Sequence, residues 1–211
     1  MTQCAAVLTG DLIGSTQAPV AAISASMALI AGIAGEIGNH TRFTRYRGDG
    51  WQIYLDDPGL GLWAMLLIAA RLKAAAGLES RIALGLGSAY GGSAESLVTA
   101  SGSAFTASGR ALDAMTEPNK LALAGEGIDR LHQRLVALLD DRLSGWSREQ
   151  AEVAAMALAP AEQPTQAAMA ARLKISRQAV AARLQSAGFA SLKAAEQDFF
   201  HVFHREDAAD G

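Results

Sequence analysis

Apolar and polar positions along the chain alternate between two periods, and the alternation marks out its elements. Residues 5–10 form a short apolar run of strand character. After a turn at Asp11, a helix is predicted over 19–37, opened by Pro19, with Ile23, Met27, Ile30 and Ile33 at helical spacing. Asn39-His40 ends it. Residues 42–47 and 51–55 alternate on either side of Gly48-Asp49-Gly50, which reads as a hairpin. Pro58-Gly59 then precedes a helix that runs to about residue 76. A glycine-bearing strand over 81–87 is followed by a small, polar loop over 91–103. A helix over 104–115, a strand over 120–124 and a helix over 128–143 complete the pattern. The order β-α-β-β-α-β-α-β-α predicts an α+β sandwich, a sheet with helices packed on one face.

The pattern changes near Ser144-Gly145, beyond which no strand is predicted. Residues 160–164 read as a loop. Thr165 is a good N-cap for the helix that follows, and Lys174-Ile175-Ser176 reads as a turn. Ser176 caps a second helix beginning at Arg177, and Ala170, Ile175, Val180 and Leu184 take the core positions of a helix-turn-helix. The chain therefore divides into residues 1–143, residues 144–205 forming a small all-α unit, and an acidic tail over 206–211 that is expected to be flexible.

Composition narrows the picture only in places. The chain has 211 residues, half of them hydrophobic, which is enough for a large core. Its net charge of −3 excludes general electrostatic attraction to nucleic acid but leaves room for a local basic patch. A single cysteine, Cys4, excludes an internal disulfide framework and a thiolate cluster. The apolar run over 60–70 is shorter than the roughly twenty residues a spanning helix needs. With no secretory signal legible at its start, the chain is expected to be cytoplasmic and to have no membrane partner.

Two Gly-Asp dipeptides carry the candidate chemistry. Asp11 lies in LTGDLIGST, residues 8–16, and Asp49 in YRGDGWQIY, residues 46–54. A carboxylate at the end of an apolar strand, followed by Gly14, Ser15 and Thr16, suits a metal and a phosphate. The plainer reading is also open: Asp beside Gly is a common turn residue, and Asp11 could cap the first helix. The histidines are scattered without metal spacing, and neither a P-loop nor a nucleophile elbow is present.

These two segments and SRIALGLGSAYGG, residues 80–92, resemble class III nucleotide cyclase domains in order and spacing. With the helical segment that follows, the chain most resembles the bacterial SatD family, in which a cyclase-like domain precedes a helix-turn-helix. The resemblance implies a ferredoxin-like sandwich and a homodimer with the site between protomers. It also implies that Asp11 and Asp49 hold Mg²⁺ or Mn²⁺ against a nucleoside triphosphate, with Gly14, Ser15 and Thr16 near the phosphates. Arg110 matches the cyclase arginine that meets the transition-state phosphate. The asparagine four residues before it is replaced by Thr106, which has one hydroxyl in place of an amide. The base-reading lysine falls near Arg45 and its acidic partner near Thr99, which departs from adenylate cyclase chemistry. Arg110 also reads plainly as a surface helix arginine.

Residues 165–193 carry Arg172, Lys174, Arg177, Arg183 and Lys193 and no acidic residue. Arg172, Lys174, Ser176, Arg177, Gln178 and Arg183 are the candidate contacts to double-stranded DNA, with 176–178 opening the second helix where base edges would be read. A helical hairpin used for dimerisation is the other reading, and Trp146 and Phe189 are expected to pack the small unit. Together these features predict a DNA-binding regulator whose degenerate cyclase-like domain binds a nucleotide with a divalent metal. An active cyclase with altered base preference, and a structural dimer without ligand, are the alternatives.

Overall fold

A computed structural model describes residues 4–38, 40–46, 48–91, 97, 99–160 and 164–204. Five strands form one mixed sheet: β1 (Cys4–Leu12), β2 (Arg42–Tyr46), β3 (Gly50–Leu55), β4 (Ser80–Ser88) and β5 (Leu121–Gly125). Their order is β2-β3-β1-β4-β5, antiparallel except for the β4–β5 pair. The first four strands and the helices α1 (Val20–Ile37) and α2 (Leu60–Ala74) make a βαββαβ unit with the ferredoxin-like order. The alternation read from the sequence is borne out for each of these elements, with ends shifted by a few residues.

The helix α2 is apolar on every side, and every residue from Gly61 to Ile68 is buried. A helix of this kind must be covered twice. The sheet covers one side, where Gly61 lies against Leu84. The other is covered by α5 (Arg148–Ala157), and the Trp63 indole N–H donates to the Leu158 carbonyl at 2.9 Å. The core thus runs without a break from Leu8 and Ile53 through α2 to Trp146, Ala154, Leu192 and Phe199. α4 (Arg130–Ser144), capped by Asp129, adds Val136, Leu139 and Leu143 to the same core. The boundary expected at 143/144 therefore falls inside a continuous hydrophobic interior.

The helices do not all lie on one face, as the sequence pattern suggested. Helix α3 (Ser103–Asp113) packs on the opposite face of the sheet, over β4 and β1. Gly85 permits this: a Cβ there would stand 2.3 Å from the Ala104 carbonyl oxygen and 2.5 Å from the Ser108 nitrogen. Beneath α3 the Thr9 and Ser108 hydroxyls share a buried hydrogen bond of 2.7 Å. Ala83, Leu112 and Met115 form a small second core there. An amphipathic α3 cannot announce which sheet face it will cover, because that depends on where a side chain is missing in β4.

The C-terminal segment is all helix, as expected: α5, α6 (Gln166–Leu173), α7 (Arg177–Ser186) and α8 (Phe189–Phe203). Thr165 and Ser176 cap α6 and α7 through the nitrogens of Ala168 and Ala179. Lys174 turns the chain between them at φ 55°. Ala170 and Val180 are buried with Ile175 and Leu184 packed around them, as the spacing predicted. Trp146 packs into the main core and donates to the Ala187 carbonyl at 2.8 Å. The tail 206–211 and part of the loops expected over 91–103 and 160–164 lie outside the described residues. Among the described helices, α1 alone is long and apolar enough to cross a bilayer, while its Met27, Ile30, Ile33 and Ala34 face the core.

Gly85→Ala is expected to cost roughly 1–3 kcal/mol by forcing α3 from the sheet. Gly109→Ala, where an added Cβ meets nothing within 4 Å, should be neutral or stabilising by about 0.5–1 kcal/mol. Urea unfolding of the two variants checks the pair.

Candidate functional site

Strand register brings the two Gly-Asp dipeptides together. Asp11 lies inside β1, one residue from its end, opposite Gly50 of β3 and Arg81 of β4. It is neither in a turn nor at a helix cap, which corrects both local readings of that residue. Asp49 sits in the β2–β3 turn, and its carbonyl accepts from the Leu12 nitrogen at 3.3 Å. Ser15 donates its hydroxyl to the Asp49 carboxylate. Asp11, Asp49, Arg81, Gly14, Glu117 and Lys120 line a cleft of about 520 Å³ at this end of the sheet.

Arg81 is the residue that the sequence motifs did not single out. Its guanidinium grips both Asp11 carboxylate oxygens, Nε at 2.9 Å from Oδ1 and a terminal nitrogen on Oδ2. The pairing raises the Arg81 pKa above its already high ordinary value. The signal existed in SRIALGLG, but only the β1–β4 register shows that Arg81 and Asp11 are cross-strand neighbours. Tyr46, opposite Gly50, carries a phenol whose pKa is raised by burial and then by the charges of Asp11, Asp113 and Asp49.

The donor set fits a hard divalent cation in kind but not as it stands. Two carboxylates face one cleft, which suits Mg²⁺ or Mn²⁺. Both oxygens of Asp11 are taken by Arg81, and no cluster of three metal-binding side chains occurs among the described residues. Asp11 would have to exchange the guanidinium for the ion.

The other expected nucleotide contacts are placed differently. Gly14 lines the cleft, but residues 15–17 form a single 3-10 turn and α1 starts only at Val20. Gly14, Ser15 and Thr16 therefore do not sit at the α1 N-terminus, because Pro19 delays the helix. Arg45 is exposed and donates to the Gly48 carbonyl at 2.7 Å, which ties it to its own hairpin and leaves it out of the cleft lining. Arg110 and Thr106 line a separate cleft with Leu86 and Glu126. Arg81 of the first cleft and Leu86 of the second are five residues apart on β4, roughly 17 Å along the strand. Thr106 donates its hydroxyl to the Gly102 carbonyl of its own helix at 3.1 Å.

On the helical side, Arg172, Lys174, Ser176, Arg177 and Gln178 are all exposed around the α6–α7 turn. Arg183 differs: it is partly covered, 3.8 Å from Glu152 of α5. Lys193 is paired with Glu196 on α8 and does not join the basic cluster.

A polar network centred on the buried Asp140 and the partly buried Glu79 holds the Lys120 wall of the cleft. The Asp140 carboxylate accepts from the Lys120 and Leu121 nitrogens at 2.7 and 3.1 Å, which fixes the start of β5. Glu79 joins the ammonium groups of Lys120 and Lys73. Burial opposes ionisation of Glu79, but the hydrogen bonds and charges of the two lysines outweigh it and hold the carboxyl below its ordinary value.

No protein-family model and no curated protein matches the chain. Among solved structures, one titled as a bacterial light-regulated adenylyl cyclase is similar at 16% identity and a TM-score of 0.42, covering 58% of this chain and 76% of that one. A second structure of a bacterial light-regulated adenylyl cyclase is similar at 13% identity and a TM-score of 0.40, covering 58% of this chain and 43% of that one.

A carboxyl with a lowered native pKa stabilises the fold above its unfolded value and loses that contribution as pH falls through the native one. Glu79→Gln should therefore cost about 1 kcal/mol near neutral pH. The difference from wild type should close on acidification below the ordinary value of 4.5. Chemical unfolding at about pH 7 and about pH 3 checks this.

Proposed function

We propose that the chain is a nucleotide-responsive DNA-binding regulator, with the ligand held in the Asp11–Asp49–Arg81 cleft. The observation that carries the reading is the convergence of two carboxylates and a guanidinium from three adjacent segments of sheet on one cleft. A nucleoside triphosphate with Mg²⁺ or Mn²⁺ satisfies both signs of charge. Asp11 and Asp49 would hold the ion, and Arg81, released from Asp11, would pair with phosphate oxygens. Gly14 lets the backbone approach the same phosphates.

Arg110, on α3, lines the separate cleft and not the aspartate cleft of its own protomer. A closed two-fold homodimer would bring the Arg110-bearing helix of one protomer to the aspartates of the other. Ligand binding between protomers would then set their relative orientation, and with it the spacing of two α6–α7 pairs on duplex DNA. The Thr106 hydroxyl is engaged by its own helix, which favours sensing over cyclisation.

Thermal unfolding with each nucleoside triphosphate, with and without Mn²⁺, tests the cleft. Ligand at about 100 times its Kd should add roughly 2.7 kcal/mol to wild type and nothing to Asp49→Asn. No shift with any nucleotide would remove the nucleotide reading. Fluorescence anisotropy on random-sequence duplex tests the helical pair. Lys174→Ala and Arg177→Ala should each weaken binding and reduce the salt slope by about 1. A wild type that ignores duplex at low salt would leave α6–α7 a packing unit.

A further inference from the structure

A second cleft, of about 440 Å³, opens where α8 passes the end of α1, the start of α2 and the end of α5. Its floor is unusual for a helix junction. Glu196 is only 5% exposed, and it accepts from Lys193 one turn earlier on α8. Burying the Glu196 carboxylate costs desolvation, and the partly exposed Lys193 ammonium supplies the charge that offsets it. The pair is also incompletely used. Lys193 reaches Oε2, while Oε1 accepts no hydrogen bond from a described residue, and Lys193 gives Glu196 alone one of its three donors. Both residues line the cleft.

Two aromatic rings and two aliphatic side chains line the rest of the cleft, with the Phe200 ring stacked on His204 at 4.3 Å between centroids. Trp63 and Phe200 stand with Ile37 and Leu60, and the Trp63 indole N–H is already committed to the Leu158 carbonyl. Gln197 and His201 are exposed at the mouth. A ligand that fits must be small and planar, with a hydrogen-bond acceptor beside an N–H donor on one edge.

We propose that this cleft binds a purine base, presented as a nucleobase or nucleoside, with its Watson–Crick edge on Lys193 and Glu196. The volume is in the range of small-molecule sites. Guanine would set O6 against the Lys193 ammonium and N1–H and N2–H against the Glu196 carboxylate. Adenine would set N1 against Lys193 and N6–H against Glu196, one donor fewer. A pyrimidine has a smaller ring face to cover the aromatic wall. This site is separate from the Asp11–Asp49 cleft and needs no phosphate. It joins α8 to the sheet unit, so its occupancy bears directly on the helix that follows α7.

Isothermal titration of the full chain with guanosine, adenosine and cytidine tests the proposal, since these nucleosides carry no phosphate for the aspartate cleft. Saturable binding is expected in the order guanosine, adenosine, cytidine. Glu196→Gln should weaken guanosine roughly tenfold. Gln197→Trp, placed at the exposed mouth, should block the cleft and do the same without touching the ion pair; it carries the test if the Glu196 variant does not fold. Asp49→Asn should leave guanosine binding unchanged. Absence of binding by both purines overturns the proposal, as does cytidine binding equal to guanosine. Guanosine binding that survives Glu196→Gln and Gln197→Trp but is lost in Asp49→Asn would place the nucleoside in the aspartate cleft and also overturn it.

Discussion

The indole of Trp51 lies flat against Gly10, close enough that a Cβ there would stand 2.4 Å from its ring. From that position its N–H donates to the Ser80 hydroxyl at 3.0 Å, and the same hydroxyl donates to the Asp11 carbonyl at 2.6 Å. One buried side chain thereby locks β3, β1 and β4 at the end where Asp49, Asp11 and Arg81 converge. A one-residue slip of β1 would turn Asp11 to the apolar face and Gly10 away from Trp51. The candidate site therefore inherits its geometry from a packing constraint directly beneath it.

The opposite side of the molecule is organised by α2. Its apolar circumference obliges the C-terminal helices to fold down onto the sheet unit. The result is short-range coupling: Arg148 donates to the Ala74 carbonyl, Lys73 to that of Ser144, and the His204 imidazole pairs with Asp57 ahead of α2. Helices α5 and α8 each pack against both α2 and α7, so among the described residues the α6–α7 pair is tied to the sheet unit through packed helices. The same junction creates the Lys193–Glu196 cleft, which neither half would have alone.

Charge is distributed unevenly between these regions. At the aspartate cleft, opposite signs are already matched by Asp11–Arg81 and by Glu79 with its two lysines. Around the α6–α7 turn Arg172, Lys174 and Arg177 stand exposed in a chain that is acidic overall. At the cleft the charges are matched within the fold, whereas around the α6–α7 turn they face solvent.

Local patterning was enough to locate the five strands, the helices α1 to α4, the hairpin at Asp49, and the caps and core of α6–α7, because each depends on residues within a few positions of one another; α5 and α8 were not placed by it. It also supplied Asp11 and Asp49 as two carboxylates at strand edges. Their union, and the pairing of Arg81 with Asp11, depended on strand register, which is set by Trp51, Gly10 and Ser80 from three separate strands. The face taken by α3 was decided by the missing side chain at Gly85, and the packing of the C-terminal helices onto the sheet unit by the second cover that α2 requires. Arg45, Arg183 and Lys193 looked available as charges in the sequence; their engagement with Gly48, Glu152 and Glu196 came from spatial neighbours. Sequence fixes which groups a chain owns and their local spacing, whereas packing determines which of them meet, because a buried charge or an apolar surface must find its partner wherever the fold has placed one.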